Sequence, residues 1–212
     1  MKLKFGIVFG AALAAFVAVA TPASAQQTIV QEWSSIKVPP APPLKQVTVE
    51  PKTTALLLLD FVKQTCNEQH RPRCVASLPA TAKFLAEARA HHMLVVYSYV
   101  HGGSFADTLP AVAPKGGEPN VQSGPDKFLG TDLEKILKDH GITTVIVTGT
   151  AADGAVMHTG DEATFRGFNV IVPVDGMSGG QIFTELYTAY NFSHAPLVAA
   201  KSTLTRYGMI KF

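Results

Sequence analysis

Short apolar runs alternate along the chain with amphipathic stretches. The runs have the length of strands, and the stretches carry apolar residues three or four positions apart, as helices do. Strands are predicted at residues 54–60, 94–100, 145–147, 170–172 and 202–205, and helices at residues 77–90, 131–140, 156–166 and 181–192. Strands that alternate with helices in this way predict a doubly wound α/β sheet, mainly parallel.

The clearest unit lies between Val145 and Gly176. A β-branched run ends at Gly149, a turn of small residues follows to Ala155, and an amphipathic helix ends at Gly167 before the next strand. This order predicts a βαβ unit. Because open parallel sheets bind ligands at the carboxyl ends of their strands, the turn is expected to form one wall of a site.

Local signals refine the other elements. Ser77 is a plausible N-cap, with Pro79 in the first helical turn, and Thr131 to Glu134 read as a capping box. Residues 102–126 hold five glycines and four prolines with little periodicity, which predicts a long loop.

The N-terminus carries the features of a secretory signal peptide. Lys2 and Lys4 precede a short apolar stretch, and Ala23-Ser24-Ala25 is typical of a cleavage site. A membrane anchor is the alternative, but the apolar stretch is short. We therefore expect a leader at residues 1–25, a proline-rich arm at 26–53, a domain at 54–212, and export, most simply to a bacterial periplasm.

Removal of the leader changes the charge of the chain. The loss of two lysines takes Lys+Arg from 18 to 16, equal to the 16 Asp+Glu, so the formal net charge falls from +2 to zero. Nothing in this balance favours nucleic acid or a membrane surface as a partner. After the leader, no apolar stretch approaches the roughly 20 residues that span a bilayer. One domain is the default for a chain of this length.

Cys66 and Cys74 are the two cysteines of the chain. In an oxidising compartment a pair this close can form a disulfide, which we favour. The alternative is a zinc site, because His70 lies midway between them and could supply a third ligand, although no fourth is evident.

Polar residues follow three predicted strands. Asp60 and His101 each end a strand, and the turn before Ala155 ends another, so all three are expected at one edge of the sheet. The glycine-rich loop adds Lys127 and, less directly, Lys115. A hydrogen-bonded loop histidine is the simpler interpretation of His101, and Asp153 is expected to hold the turn through backbone N–H groups.

These segments together resemble a known family. LLLLDF around Asp60, KFLGTDLEKILKDHGI from Lys127, and VIVTGTAADGAV followed by TFRGFNVIVPVDG cover nearly all of residues 54–176. They are similar to the isochorismatase-like (cysteine hydrolase) superfamily. The resemblance implies a three-layer α/β fold that acts on small molecules with an Asp, a Lys and a Cys.

The resemblance also assigns roles. Asp60 matches the general acid or base, and a cis peptide is implied at Thr150-Ala151. The backbone N–H groups of Ala151 and Ala155 would then form an oxyanion hole. His101, from its position at a strand end, is a candidate metal ligand or substrate contact.

Two departures bear on the chemistry. The nucleophilic cysteine falls at Ala155, which has no attacking atom, and the lysine expected near Gln122 is displaced to Lys127. Metal-binding members use one Asp and two His, but no Asp-x-His motif follows Asp60. We therefore expect no metal and no other cofactor. His158, one turn beyond Ala155, would face the pocket or a subunit boundary.

Three hypotheses remain open. The first is a hydrolase that uses Asp60 in acid–base catalysis without a covalent intermediate, as in isochorismatases that cleave a vinyl ether. The second is a binding protein that has lost the chemistry. The third is an alanine introduced at position 155 to trap a substrate. The arm and the apolar Ala199-Ala200 region would suit a homo-oligomer.

Overall fold

The computed structural model describes residues 28–212. The predicted leader lies outside the described residues. By its contacts the chain divides into a unit ending at Pro39 and a compact unit from Pro40 to Phe212. In the first, a short helix, α1 (Ile29–Glu32), is followed by a 3₁₀ turn, Trp33–Ser35. Among residues 28–212, no helix combines the length and the hydropathy that a membrane span requires.

The compact unit is built on a parallel sheet. The strands are β1 (Val47–Thr48), β2 (Thr54–Leu59), β3 (Leu94–Tyr99), β4 (Asn120–Gln122), β5 (Thr144–Thr150), β6 (Asn169–Pro173), β7 (Met177–Ser178), β8 (Ser202–Thr205) and β9 (Ile210–Lys211). The main sheet has the order β4-β3-β2-β5-β6-β8 with every neighbouring pair parallel, and β7 extends the end of β5. The predicted α/β fold class is confirmed.

Helices cover both faces of this sheet. They are α2 (Pro72–Ala90), α3 (Leu133–Asp139), α4 (Met157–Phe165), α5 (Ile182–His194) and α6 (Val198–Lys201). Strand β2 is buried throughout, and its alternating side chains enter two cores: Leu57 and Leu59 lie in one, Leu56 and Leu58 in the other. Full burial of each leucine contributes about 1.5–3 kcal/mol, so this strand anchors all three layers.

Two predicted helix starts are wrong. Helix α2 begins at Pro72, so Ser77 is not its N-cap and Pro79 lies inside the helix. The Ser77 hydroxyl instead donates to the Cys74 carbonyl at 2.8 Å. Pro72 explains the earlier start, because its fixed φ suits the first helical position and its missing N–H costs nothing there.

The start of α3 also differs from the predicted capping box. Thr131 Oγ1 accepts a bond from the Leu133 N–H at 3.2 Å, but the N-cap is Asp132. Glu134, which would complete the box, pairs with Lys138 and Arg166 instead. Two strong cations therefore outcompete a backbone N–H for this carboxylate.

Part of the predicted arm lies along the compact unit. Strand β1 pairs in parallel with β9, and the Val49 N–H donates to the Lys211 carbonyl at 2.8 Å. The Lys45 N–H donates to Leu204 at 2.9 Å. The long loop also contains the edge strand β4, which is too short for its hydrophobic pattern to reveal.

Candidate functional site

Asp60 begins the turn that follows the central strand β2. Its backbone has φ 57°, in the left-handed region that aspartate tolerates better than most residues. The Asp60 N–H donates to Ser98 O on β3 at 3.2 Å, and the Asp60 carbonyl accepts a short bond from the Thr65 hydroxyl. The chain therefore turns sharply and leaves the carboxyl group at the end of the strand.

Both oxygens of the Asp60 carboxyl are bound. Lys127 Nζ lies 2.7 Å from Oδ2, and the Ser98 hydroxyl donates to Oδ1 at 2.7 Å. The side chains of Lys127 and Asp60 are only 0% and 4% exposed. Burial raises the pKa of Asp60 above its usual value, and Lys127 and Ser98 oppose that rise. The result is a desolvated carboxyl–ammonium pair.

A compact turn directs Lys127 inward. The Ser123 hydroxyl bonds to the carbonyls of Asp126 and Leu129 at 2.8 and 2.9 Å, and the Phe128 N–H donates to Asp126 Oδ1 at 2.8 Å. Lys127 Nζ also donates to the Ser123 carbonyl at 3.2 Å. This network explains how a lysine five residues beyond the expected position reaches Asp60.

Gln122, at that expected position, has a different role. Its side-chain amide donates to the carbonyls of Val100 and Gly103 at 3.2 and 2.7 Å, which holds the loop after β3. Lys127 is therefore the lysine that reaches the carboxyl group, while a catalytic role for either member of the pair stays a prediction.

The turn after β5 lies beside Asp60. Gly149 pairs with Leu59, and a Cβ at Gly149 would stand 2.1 Å from the Leu59 carbonyl oxygen, so the two strands approach closely there. The peptide Thr150-Ala151 is cis, as predicted. One π-helical turn, Ala152–Val156, then leads into α4.

Ala155 lies within that turn and is buried. Its methyl group belongs to the same apolar core as Ala152 and Val156. The position therefore presents no nucleophile, and the oxyanion-hole role of the Ala151 and Ala155 N–H groups stays a prediction. The Lys127 N–H donates to Thr159 Oγ1 at 3.2 Å, which ties the lysine turn to the helix after Ala155.

A cleft of about 680 Å³ opens at this edge of the sheet. Its lining residues are Gln64, His70, Arg71, Ala151, Asp153, Gly180, Gln181 and Thr184. The cis turn contributes Ala151 to this lining, while Asp60 and Lys127 are not among the lining residues. Other cavities, of about 440 and 350 Å³ at the amino ends of the strands and about 500 Å³ beside β4 and α3, hold no residue of the turns after β2 and β5. Since ligands of open parallel sheets bind at the carboxyl ends, the first cleft is the candidate substrate site.

Three predicted site residues lie apart from the buried pair. His101 is exposed, and within the described residues it makes no hydrogen bond or ion pair, so the expected hydrogen-bonded loop histidine is wrong. Asp153 lines the cleft and makes no side-chain bond within residues 28–212, so the expected turn-holding role is wrong. The N–H groups of Gly154 and Val156 bond to the Ala151 carbonyl instead. His158 is exposed on the first turn of α4.

The predicted disulfide between Cys66 and Cys74 is present, with the Cα atoms 5.4 Å apart. Because both sulfur atoms are bonded to each other, neither cysteine can serve as a thiolate ligand, and the alternative zinc site is wrong. In the part of the chain that the structure describes, no group of three or more His, Cys, Asp or Glu is arranged to hold a metal. The loop that this bridge closes carries His70 and Arg71 to the cleft.

Sequence reasoning missed several members of the site. Ser98 could have been found from strand register, because it lies opposite Leu59 on the neighbouring strand. Arg71, Gln181 and Thr184 carry no motif, and the fold alone brings them to one cleft.

Comparison with known proteins agrees with this architecture. The isochorismatase domain matches residues 54–189. N-carbamoylsarcosine amidase from an Arthrobacter species is 38% identical over 78 residues, which cover 32% of this chain. The matched region spans only 30% of that amidase's length.

Solved structures show the same fold. An isochorismatase family protein from Burkholderia thailandensis has a TM-score of 0.67 at 20% identity, covering 78% of this chain and 97% of that one. N-carbamoylsarcosine amidase from Thermoplasma acidophilum has a TM-score of 0.63 at 22% identity, with coverage of 73% and 96%. A cysteine hydrolase from Pseudomonas syringae pv. phaseolicola 1448A has a TM-score of 0.68 at 18% identity, with coverage of 79% and 94%. On the domain match, which spans more than half of the chain, this protein belongs to the isochorismatase family.

Proposed function

We propose that this chain is a hydrolase that cleaves a small molecule by acid–base catalysis at Asp60, without a covalent enzyme intermediate. The observation that carries the proposal is the contact of 2.7 Å between Lys127 Nζ and Asp60 Oδ2, with both side chains withdrawn from solvent. Membership of a hydrolase family supports it, and Ala155 excludes a nucleophile at the turn.

The energetics of the pair support a functional role. Desolvating two charges costs several kcal/mol per ion, and their attraction often only balances that cost, so an apolar pair of similar volume would stabilise the fold at least as well. Burial raises the pKa of Asp60, and carboxyl groups with perturbed pKa values are enriched at catalytic sites. The pair is therefore better explained by proton transfer than by stability.

The proposed reaction is the hydration of an enol ether. The Asp60 carboxyl gives its proton to the terminal alkene carbon, a C–H bond forms, and the carbon bearing the ether oxygen becomes cationic. Water adds to that carbon and returns a proton to the carboxylate. Collapse of the hemiketal breaks the C–O bond and releases a ketone and an alcohol, so one water is consumed.

Asp60 and Lys127 each have a part in this scheme. The raised pKa of Asp60 retains the proton to be transferred, and Lys127 stabilises the carboxylate that remains after transfer. The ether oxygen gains positive charge in this step, so the N–H groups of the cis turn have no oxyanion to stabilise in it.

The test is hydrolysis by the purified chain of a panel of small amides and enol ethers. The panel includes 2-methoxyacrylate, whose product pyruvate is measured directly. Asp60→Asn should lower the rate at least a hundredfold, because general acid catalysis contributes about 10²–10⁴. Asp139→Asn, an exposed acid on α3, is the control and should leave the rate unchanged. An Asp60→Asn protein as active as wild type contradicts the proposal.

A second candidate is a binding protein that keeps the pocket without the chemistry, which Ala155 favours directly. Its signature is a wild-type chain inactive on the whole panel, combined with amide hydrolysis in Ala155→Cys. A cysteine there would restore the nucleophile that the family resemblance implies at this position of the turn.

Export and self-association are part of the proposal. The leader motif supports secretion, and a disulfide fits an oxidising compartment. N-terminal sequencing of protein recovered from the periplasm should begin at Gln26, and light scattering tests for a homo-oligomer.

A further inference from the structure

Arg71 is an arginine in the cleft without an acidic partner. Arg73, Arg89 and Arg166 each pair with a glutamate. No carboxylate within residues 28–212 lies within 4.0 Å of the Arg71 guanidinium, which is half-buried at the cleft wall. Its Nη1 donates to the Thr65 carbonyl at 3.0 Å, and its other donors make no bond to described residues.

The loop that carries Arg71 is braced at several points. The disulfide closes it, the Arg71 N–H donates to Asn67 O at 2.9 Å, and the Cys74 N–H donates to Arg71 O at 3.0 Å. The Thr65 residue that accepts from the guanidinium also donates through its hydroxyl to the Asp60 carbonyl. The guanidinium is thus held in place before a ligand arrives, which reduces the entropy lost on binding.

The free donors of a guanidinium form a planar fork that matches a carboxylate. Asp153 lines the same cleft, and its negative charge disfavours a ligand with two negative charges, such as a phosphate monoester. The amides of Gln64 and Gln181 and the Thr184 hydroxyl supply uncharged hydrogen-bonding groups. These features select a small monoanion.

We propose that Arg71 anchors a carboxylate group of the substrate in this cleft, so that the substrate class is small monocarboxylates. This proposal rests on the proposed function, which identifies the cleft as the substrate site. The charge of the ligand is inferred from Arg71 alone.

Anchoring at Arg71 would also affect Asp60. Burial raises the pKa of Asp60, and the positive charge of Arg71 is the smallest of the influences that lower it. A bound carboxylate offsets that charge, so the Asp60 carboxyl holds its proton more firmly when substrate is present. Substrate binding at Arg71 would thereby favour the protonated form of the Asp60 carboxyl.

The experiment measures binding rather than turnover, in the Asp60→Asn protein so that no probe is consumed. Acetate, pyruvate, benzoate and 2-methoxyacrylate are titrated beside their primary amides by ligand-observed NMR. We expect at least one acid to bind more than tenfold more tightly than its amide. Arg71→Gln should abolish that preference, and Arg71→Lys should retain part of it, because lysine keeps the charge and loses the fork.

Arg206→Gln is the matched control. It removes the same charge from an exposed arginine that has no ion pair among the described residues and does not line the cleft. The preference for acids should persist there. Equal binding of every acid and its amide to the Asp60→Asn protein overturns the proposal, and so does an unchanged preference in Arg71→Gln, with folding of each variant verified by its Tm.

These outcomes are separable from those of the proposed function. Acid preference without any hydrolysis by wild type supports the role of Arg71 and contradicts the hydrolase. Hydrolysis of a neutral substrate that is insensitive to Arg71→Gln supports the hydrolase and contradicts the role of Arg71.

Discussion

Asp60 and Lys127 hold each other in place through one short contact, and both side chains are almost fully buried. Two buried charges of opposite sign compensate each other while both are present. Removal of one leaves the other buried and unpaired, which destabilises the folded state. Ser98 and the Ser123 carbonyl complete the hydrogen bonding, so each charged group has a second partner. A single substitution in this pair should therefore lower the free energy of unfolding strongly, because it leaves a buried charge without its partner. Breaking an ion pair at the surface should have little effect.

Lys127→Met should lower the free energy of unfolding by about 3–5 kcal/mol near neutral pH, because it leaves Asp60 buried without its cation. The loss should shrink in acid, since a protonated Asp60 carries no charge and its pKa, already raised by burial, rises further without the lysine. Urea denaturation at several pH values measures both effects.

The double variant Asp60→Asn/Lys127→Met supplies the check, because it removes the stranded charge and should recover part of the stability. Lys135→Met, which breaks an exposed pair with Asp139 on α3, is the control and should change little. A loss in the double variant equal to the sum of the single losses would show that the two side chains are not coupled.

Ser98→Ala should shift the pH dependence of hydrolysis. Burial raises the pKa of Asp60, and the Ser98 hydroxyl bond lowers it, so removing that bond raises the pKa further. If the protonated carboxyl is the active form, the rate falls as pH rises through this pKa, and the midpoint should move to higher pH in the variant. A midpoint that stays in place, or moves to lower pH, would exclude Asp60 as the titrating acid.

At the level of elements, the site depends on how closely β2 and β5 approach. The absence of a Cβ at Gly149 allows the Leu59 carbonyl to lie against the strand end, which brings Asp60 and the cis turn to adjacent positions. Ala151 and Ala152 of that turn come immediately after β5 in the chain. The geometry of the site is thus set by a packing contact rather than by the site residues themselves.

Gly149→Ala should lower the free energy of unfolding by about 1–3 kcal/mol or more, because its Cβ would stand 2.1 Å from the Leu59 carbonyl oxygen. Its φ of 139° adds strain for a side chain. Gly208→Ala, where a Cβ meets nothing within 4 Å, is the comparison and should be near neutral. Similar urea midpoints for the two variants would contradict the close approach.

At the scale of the whole molecule, the disulfide joins Cys66, in the segment between β2 and α2, to Cys74 in the first turn of α2. It closes a loop with a sequence separation of 8, which in the chain-entropy account stabilises the fold by roughly 2–3 kcal/mol. It also restricts the segment that carries Arg71, so its removal should affect both stability and ligand binding.

Cys66→Ala/Cys74→Ala should lower the Tm and weaken acid binding at the cleft, while leaving the Asp60–Lys127 contact intact. Thermal unfolding and the acid–amide titration measure the two effects, and alkylation of wild type without reductant should add no mass. A variant with normal stability and binding would mean that hydrogen bonds alone hold the loop.

Much of the fold could be predicted because its central strands are apolar on both faces. An unbroken run such as Leu56 to Leu59 can only be satisfied between two layers, so local pattern and tertiary structure agree there. The start of α2 and the strand β4 could not be predicted. A proline at the first helical position competed with a serine cap, and a three-residue edge strand has too few buried side chains to leave a pattern.

The amino-acid sequence by itself determined the fold class, the position of Asp60 at a strand end, the turn at Thr150-Ala151, the pairing of Cys66 with Cys74, and the lack of a nucleophile at Ala155. The fold class and the strand-end position of Asp60 follow from periodicity, and the disulfide is favoured by spacing and the leader motif. The cis turn and the nucleophile position at Ala155 follow from the resemblance to the family. Only the tertiary structure decided that Lys127 rather than Gln122 reaches Asp60, and that Arg71 faces the cleft without a partner. Both depend on the paths of loops, which leave no periodic signal. Lys127 is placed by a local turn that one bond to Thr159 ties to α4, and Arg71 is placed by the disulfide and by bonds within its own loop.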